Sequence, residues 1–186
     1  MGVPNTKIYT LDEYNKLRES SEDLYEFIDG EIIKLCSPST LHQTVALNLV
    51  MELKKYFSKS KCKVMLAPYD MFLCKDNKTD VVIPDISVMC DKSRFDDKRY
   101  KGVPTLIIEL LSSNISDDTV RKFNLYLKYG VREYWIIDPK NKTFQIHTYD
   151  EVNKTYVSHI QEDYSVLNSI FFDNLSINMN LVFEEI

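Results

Sequence analysis

Helical signals occur in three stretches of the chain. Residues 39–60, STLHQTVALNLVMELKKYFSKS, carry an apolar stripe that predicts an amphipathic helix; the stripe consists of Ala46, Leu49, Leu53 and Phe57. Thr10 and Glu13 form a capping box, which predicts a short helix from this point onward. A third helix is predicted between Ser116, which can cap its start, and Gly130, which ends it.

Shorter apolar runs between these helices predict β-strands. The sequence LYEFIDGEIIKL predicts a hairpin, because Asp29-Gly30 is a favoured two-residue turn. Further strands are predicted over 62–66, 69–74, 80–90, 105–111 and 132–138, and residues 143–186 predict hairpins and an irregular tail. We therefore expect an α/β (α+β) fold, a mixed β-sheet flanked by helices, as a single domain over residues 1–186.

Composition indicates a globular protein, and the N-terminal sequence indicates its cellular compartment. The 186 residues are 44% hydrophobic, and no apolar run approaches the ~20 residues of a membrane helix. The N-terminal sequence lacks the apolar core of a signal peptide, so we expect a cytoplasmic protein. The cysteines stand singly in apolar stretches, and we expect four buried free thiols: Cys36, Cys62, Cys74 and Cys90.

The net charge of −5 argues against general binding of nucleic acid. Two segments are nevertheless rich in lysine and arginine, KKYFSKSKCK (54–63) and KSRFDDKRYKG (92–102). Solvated surface is the ordinary interpretation of such segments. The alternative is a rim that faces phosphate groups, and the candidates in the second segment are Lys98, Arg99 and Lys101.

Two carboxylates interrupt strands that are otherwise apolar. Asp85 lies in VVIPDISVMC (81–90), and Glu109 lies in TLIIELLS (105–112). Burying a charge is costly, and two carboxylates on neighbouring strands repel each other. A divalent cation between them removes both costs, since Mg²⁺ takes oxygen ligands that often include one or two carboxylates. The two acids therefore mark a candidate metal site.

Three further polar residues fall on predicted apolar faces. In the hairpin register, Glu26 and Glu31 share a face with apolar side chains, and edge-strand charges are the alternative interpretation. His42 lies on the apolar stripe of the long helix, one turn before Ala46. A packed, hydrogen-bonded histidine is the ordinary interpretation there, and a site residue is the alternative.

The combination of Pro84-Asp85 with Glu109 resembles the PD-(D/E)XK nuclease superfamily. Within it, the chain resembles the Uma-two family of restriction-endonuclease-like proteins. Six stretches carry this resemblance, in order, along nearly the whole chain: YEFIDGEI, SPSTLHQ, VVIPDISVM, LIIELLS, DTVRKFNLYLKYGVREYWIID and FFDNLSINMNLVFEE. The resemblance implies a restriction-endonuclease-like fold and an endonuclease that acts on DNA with Mg²⁺ or Mn²⁺.

The resemblance also implies roles for individual residues. Asp85 and Glu109 would hold the metal ion, together with the backbone carbonyl of Leu110. The superfamily usually places a lysine two residues after the second acid, where this chain has Leu111. In this family the lysine lies on the following helix, which points to Lys122 as the third catalytic group.

The position of Lys122 on the predicted helix also allows a purely structural interpretation. Asp118, Lys122 and Tyr126 follow each other at four-residue steps on one face, and an Asp118–Lys122 salt bridge is the alternative interpretation. Lys128, two turns further on, is expected to be dispensable. The family also shows an acid and a histidine at the places of Glu31 and His42, which implies accessory roles for both.

Two functional hypotheses remain open from the sequence. The first is a Mg²⁺-dependent nuclease on DNA, with RNA as an alternative substrate. The second is a catalytically silent relative that uses the same fold for binding or assembly, which the acidic net charge favours. Such folds often dimerise, and we expect a homodimer to which an exposed apolar tail, FFDNLSINMNLVF, contributes.

Overall fold

The computed structural model describes residues 7–112, 116–159, 161 and 163–184, and of residues 116–118 it describes the backbone only. The helices in these ranges are α1 (Leu11–Ser20), α2 (Thr40–Phe57), α3 (Ser116–Tyr129) and α4 (Met179–Val182). The first strands are β1 (Tyr25–Ile28), β2 (Glu31–Lys34), β3 (Lys63–Leu66), β4 (Asp70–Lys75), β5 (Lys78–Val82) and β6 (Ile86–Met89). The others are β7 (Arg99–Lys101), β8 (Leu106–Leu110), β9 (Glu133–Asp138), β10 (Thr143–Asp150), β11 (Thr155–His159), β12 (Val166–Asn168) and β13 (Ser176–Asn178).

The strands form two large sheets and one small one, flanked by helices. One sheet has the order β2-β1-β5-β4-β7, the other has the order β11-β10-β9-β8-β6-β3, and β12 pairs with β13. The second sheet is mixed, because β8 and β9 run parallel while β6 and β8 run antiparallel. The predicted α+β class with a mixed sheet and helices is thus confirmed, although the strands divide between two sheets.

Each long helix covers a different apolar surface. On α1, Tyr14 packs against Phe27 and the other core residues on one face of the five-stranded sheet. The apolar side chains of α3, among them Tyr126, form one core cluster with residues from both large sheets. The stripe of α2, including Leu49, packs in another cluster with the six-stranded sheet, β12, β13 and α4. The helix α3 is therefore placed where both sheets contribute to its surroundings.

The predicted strand 80–90 is in fact two strands that belong to different sheets. β5 ends at Val82 in the five-stranded sheet, and β6 begins at Ile86 in the six-stranded sheet. Pro84 lies in the connection, and proline has no N–H to donate to a strand ladder. The chain crosses between the sheets at this point, so Asp85 stands directly before the first residue of β6.

Local signals in the sequence set several element ends as predicted. Thr10 and Glu13 form both hydrogen bonds of the capping box of α1. The hairpin turn has positive φ angles at Asp29 (48°) and Gly30 (85°), as a type I′ turn requires. Gly130 follows α3 with a φ of 74°, a left-handed conformation that glycine adopts without strain.

The predicted free thiols are confirmed for Cys36 and Cys74 and wrong for Cys62 and Cys90, and the predicted burial of Cys36 and Cys74 is wrong. Cys62 and Cys90 form a disulfide, while Cys36 and Cys74 are free but exposed. The pairing follows from the sheet, because Lys63 of β3 lies opposite Met89 of β6 and the next residues outward face each other. The positions of single cysteines in a sequence do not reveal which strands pair, so the sequence did not predict this disulfide.

The C-terminal apolar segment is also less exposed than expected. Most of its large side chains lie in the core, including Leu175, Ile177 and Met179, while Phe171 and Leu181 remain exposed. Apolar side chains on β12, β13 and α4 therefore mainly complete the core beside α2. Among the residues that the structure describes, no helix is both long and apolar enough to cross a membrane.

Candidate active site

Three elements that are distant in sequence meet at one end of the six-stranded sheet. β6 and β8 pair antiparallel with Ile86 opposite Ile108, so the next step of the register places Asp85 beside Glu109. The chain leaves β8, forms α3 and returns as β9, which lies parallel to β8. This crossover brings the first turns of α3, with Lys122, over the end of β8 that carries Glu109.

The carboxylate of Asp85 is anchored to β8 and to the start of α2. Its Oδ2 atom accepts a hydrogen bond from the backbone N–H of Leu110 at 2.8 Å. The Nε2 atom of His42 lies 3.2 Å from the same oxygen. His42 reaches this position because Ser39 caps α2 by accepting the His42 backbone N–H, which places His42 in the first turn. The first turn of α2 and the start of β6 thus bring His42 and Asp85 together.

The environment of His42 favours its charged form. Burial alone lowers the pKa of the imidazole, but the hydrogen bond to Asp85 and the negative charges of Asp85 and Glu109 outweigh this effect. The backbone of Leu110 acts in the same direction, and the net pKa lies above the ordinary value of 6.5. The predicted metal ligand Asp85 therefore contacts the imidazole of His42.

Glu109 is the most strongly perturbed carboxyl group of the site. Its pKa is raised to about 8; burial is the largest cause and the charges of Asp85 and Glu26 add to it, while Lys122 opposes them. Its Oε1 atom accepts a hydrogen bond from the Tyr126 hydroxyl at 2.6 Å and lies 3.1 Å from Lys122 Nζ. Both partners come from α3, four residues apart on one helical face.

Lys122 lies between two carboxylates of different strands. Its Nζ atom is 3.1 Å from Glu109 and 3.4 Å from Glu26, and only 7% of its side chain is exposed. The alternative interpretation, an Asp118–Lys122 salt bridge, concerns a side chain that lies outside the described residues. Lys122 lies beside Glu109, and its catalytic role stays a prediction.

Glu26 is the site residue that sequence reasoning did not select. It stands on β1, is completely buried, and contacts Lys122 from the side of the five-stranded sheet. Its signal was the apolar face it shares with Ile28 and Ile33, which the observed register confirms. Glu31 shares that face but lies at the exposed end of the hairpin, with 49% of its side chain exposed and the Arg121 guanidinium at 4.0 Å.

The predicted phosphate-facing rim lies on another edge of the molecule. Arg99 and Lys101 belong to β7, the edge strand of the five-stranded sheet beside β4. Both pair with Asp96, at 3.6 Å and 3.0 Å, and the backbone N–H of Lys98 donates to the same carboxylate. Part of the positive charge of this segment is therefore neutralised within the segment.

Lys128 is not the dispensable residue that its position suggested. Its Nζ atom contacts Asp29 at 2.7 Å and the buried Asp80 at 3.0 Å. Asp80 also accepts the Tyr129 hydroxyl at 2.7 Å and the Asp29 backbone N–H at 2.7 Å. These bonds tie the β1–β2 turn to the end of α3, so a substitution at Lys128 would disturb the fold near the site.

The donor set fits a hard divalent cation with few protein ligands. Asp85 and Glu109 supply carboxylates, and the backbone of Leu110 lies beside Asp85. In the part of the chain that the structure describes, no group of three histidine, cysteine or acidic side chains is arranged to hold a metal ion. Mg²⁺ suits this composition, because it commonly uses one or two carboxylates and keeps several waters.

Comparisons with known proteins agree with this architecture. The Uma2 family model, described as "Putative restriction endonuclease", matches residues 11–180. The "Uncharacterized protein sll1609" of Synechocystis sp. is 31% identical over 142 residues, which cover 74% of this chain and 79% of that protein. A crystal structure from Anabaena variabilis, described as "a putative nuclease belonging to DUF820", superimposes with a TM-score of 0.71. That structure is 24% identical and covers 94% of this chain and 97% of its own, which shows a shared fold.

The raised pKa of Glu109 predicts how the metal-free protein responds to pH. Between the ordinary carboxyl pKa of 4.5 and the folded value of about 8, the folded state binds more protons than the unfolded state. The free energy of unfolding should therefore fall as pH rises through this interval. Urea unfolding in EDTA at pH 5, 6, 7 and 8 measures the effect, and Glu109→Gln should flatten it. Parallel pH curves for parent and variant would contradict the prediction.

Proposed function

The chain belongs to the Uma2 family, described as "Putative restriction endonuclease", and from this premise we propose that it is a metal-dependent endonuclease that hydrolyses phosphodiester bonds in DNA. One observation carries the proposal. Lys122, thirteen positions beyond Glu109 in sequence, has its Nζ atom 3.1 Å from the Glu109 carboxylate, beside the strand end where Asp85 is anchored. Two acids that can bind a metal ion and a lysine that can act on the attacking water suit metal-assisted phosphodiester hydrolysis.

We assign the metal ligands to Asp85, Glu109 and the carbonyl of Leu110. When bound there, Mg²⁺ or Mn²⁺ supplies Lewis-acid polarisation of a phosphoryl oxygen and lowers the pKa of a bound water. The protein holds these ligands through neighbouring groups: the Leu110 N–H fixes Asp85, and the Tyr126 hydroxyl fixes Glu109. The ligand atoms are therefore oriented by hydrogen bonds rather than by solvent.

The ammonium group of Lys122 is assigned to the attacking water. As an ammonium ion, this lysine can orient the water and offset negative charge on the phosphoryl group; to take the proton of the water it must first lose its own. Its low exposure limits competition from bulk water, which strengthens these interactions. His42 acts as an accessory residue through its contact with Asp85, and Glu31 as an accessory residue at the exposed side beside Arg121.

The substrate and setting extend the proposal. We assign DNA as the substrate, with Lys98, Arg99 and Lys101 as a rim for the phosphate backbone, in a cytoplasmic homodimer. Exposed apolar side chains on the α2 side of the molecule support a contact between copies; they are Leu47, Met51 and Leu181. The second hypothesis, a silent binding or assembly module, is favoured by the net charge of −5 and by the pairing of rim cations with Asp96.

Metal binding should stabilise the folded protein through the two strand acids. A ligand that binds only the folded state raises the melting temperature, and Mg²⁺ or Mn²⁺ should do so here. Asp85→Asn should abolish this shift, and above pH 8, where Glu109 is charged, it should raise the melting temperature of the metal-free protein because repulsion of Glu109 is removed. Thermal scanning with EDTA and with each metal measures both effects. A metal response that is unchanged in Asp85→Asn would exclude the proposed site.

Cleavage should depend on Lys122 while metal binding does not. Lys122→Met keeps the length of the side chain and removes its charge, so it should retain the Mn²⁺-induced melting shift. Its cleavage rate should fall by roughly 10²-fold or more, the scale of one lost acid–base group. Nicking of supercoiled plasmid and cleavage of single-stranded RNA, both with Mn²⁺, measure the rate and separate the two substrates.

Lys16→Met is the control for this experiment. Lys16 is an exposed residue of α1, and its replacement should leave both cleavage and melting unchanged. Full activity in Lys122→Met would remove Lys122 from the mechanism. A parent protein that cleaves neither plasmid nor RNA would instead support the silent module.

The proposed rim should contribute to affinity through phosphate contacts. Replacement of Lys98, Arg99 and Lys101 by glutamine should weaken binding of a DNA duplex and flatten its dependence on salt, because fewer counterions are released. Fluorescence anisotropy between 50 and 200 mM salt, the range of about 10³-fold changes for proteins with six or more phosphate contacts, measures the slope. An unchanged slope in the triple variant would place the DNA on another surface.

A further inference from the structure

Glu26 is the only acid on β1, and its environment is unusual for a carboxylate. Its residue exposure is 0%, so it cannot touch a substrate from its present position. Its Oε1 atom accepts the backbone N–H of Ile83 at 2.9 Å and lies 3.4 Å from Lys122 Nζ. Its Oε2 atom is buried and has no hydrogen-bond partner among the described residues. Burial of an incompletely paired carboxylate is costly, so its retention needs a reason.

Another buried glutamate shows what a purely structural carboxylate looks like in this chain. Glu133 on β9 is also 0% exposed. Its two oxygens are both satisfied, by the Ser169 hydroxyl at 2.6 Å and by the Ile170 backbone N–H at 2.8 Å. Glu133 therefore ties the β12–β13 connection to the sheet. Glu26 differs, because one of its contacts is to the lysine of the candidate active site.

The two contacts of Glu26 join the parts that carry the candidate chemistry. Ile83 lies two residues before Asp85, in the segment where the chain crosses from one sheet to the other. Lys122 lies on α3 and is shared between Glu26 and Glu109. A single oxygen of Glu26 thus contacts both the segment that leads to Asp85 and the ammonium group beside Glu109.

We propose that Glu26 is a positioning residue, which holds the Lys122 ammonium group in place and fixes the segment before Asp85 relative to α3. This inference rests on the proposed nuclease function for its catalytic consequence. The carboxyl groups of Glu26 and Glu109 lie on two sides of Nζ and restrict where the Lys122 side chain points. Without the charge of Glu26, the attraction of Glu109 for the ammonium group is no longer balanced from the side of β1.

Glu26→Gln isolates the charge from the hydrogen bond. The glutamine carbonyl oxygen can still accept the Ile83 N–H, whereas the charge that faces Lys122 is removed. Under saturating Mn²⁺, kcat should fall by about 10- to 100-fold, the scale of misplacing a catalytic group by about 1 Å, and KM should stay unchanged. The dissociation constant for Mn²⁺, measured by calorimetry, should change by less than about twofold, since Glu26 is not a ligand. Loss of Mn²⁺ binding would overturn the proposal in favour of a ligand role.

A double-mutant cycle tests whether Glu26 acts through Lys122. In the Lys122→Met protein, Glu26→Gln should cause no further loss of kcat, because the group that it positions is absent. Losses in kcat that multiply independently would overturn the proposal, as would full kcat in Glu26→Gln. Glu133→Gln is the matched control: it should lower the melting temperature, leave kcat unchanged and show no coupling to Lys122→Met.

If the parent cleaves no substrate, the proposed function is refuted, but the role of Glu26 can still be tested with the same four proteins. Melting temperatures of parent, Glu26→Gln, Lys122→Met and the double variant form a second cycle without any activity readout. Non-additive shifts would support Glu26 as the group that holds Lys122. Additive shifts would show that the two residues are independent and would overturn the inference.

Discussion

The ion cluster around Lys122 is the constraint on which the site depends. One ammonium group, 7% exposed, lies 3.1 Å from Glu109 and 3.4 Å from Glu26, on strands of two different sheets. Charges at this depth are tolerated only when they are paired and hydrogen-bonded, so neither sheet can move relative to α3 without exposing or stranding a charge. The cluster therefore fixes the relation between the sheets at the point where Asp85 and Glu109 meet.

The path of the chain around Pro84 explains how a single polypeptide supplies these groups. β5 and β6 are consecutive in sequence but belong to different sheets, and the connection carries Ile83, Pro84 and Asp85. Where the chain crosses between the sheets, the backbone N–H of Ile83 donates a hydrogen bond to Glu26. Pro84 cannot donate to a strand ladder, so it lies in the connection and not in β5 or β6. Asp85 lies in the same connection.

Sequence patterns predicted those parts of the fold that local chemistry determines. The capping box at Thr10, the Asp29-Gly30 turn and the amphipathic stripe of α2 each depend on a few neighbouring residues, and all three occur in the structure. Division of the strands between two sheets and the Cys62–Cys90 disulfide depend on pairings between distant residues. Such pairings leave no mark within a short window of sequence, which is why they were missed.

The candidate site shows the same division between local and distant information. Asp85 and Glu109 were selected because a charge in an apolar strand is conspicuous. Glu26 and Glu31 share one face of a hairpin, and the resemblance selected only Glu31. The two residues differ in burial. Glu26 lies where β1 pairs with β5, whereas Glu31 lies next to the turn and is exposed to solvent. Three acids, Asp85, Glu109 and Glu26, lie close enough for their charges to interact, which makes this region costly to fold, as the raised pKa of Glu109 reflects. The apolar clusters on both sides of the six-stranded sheet must offset that cost.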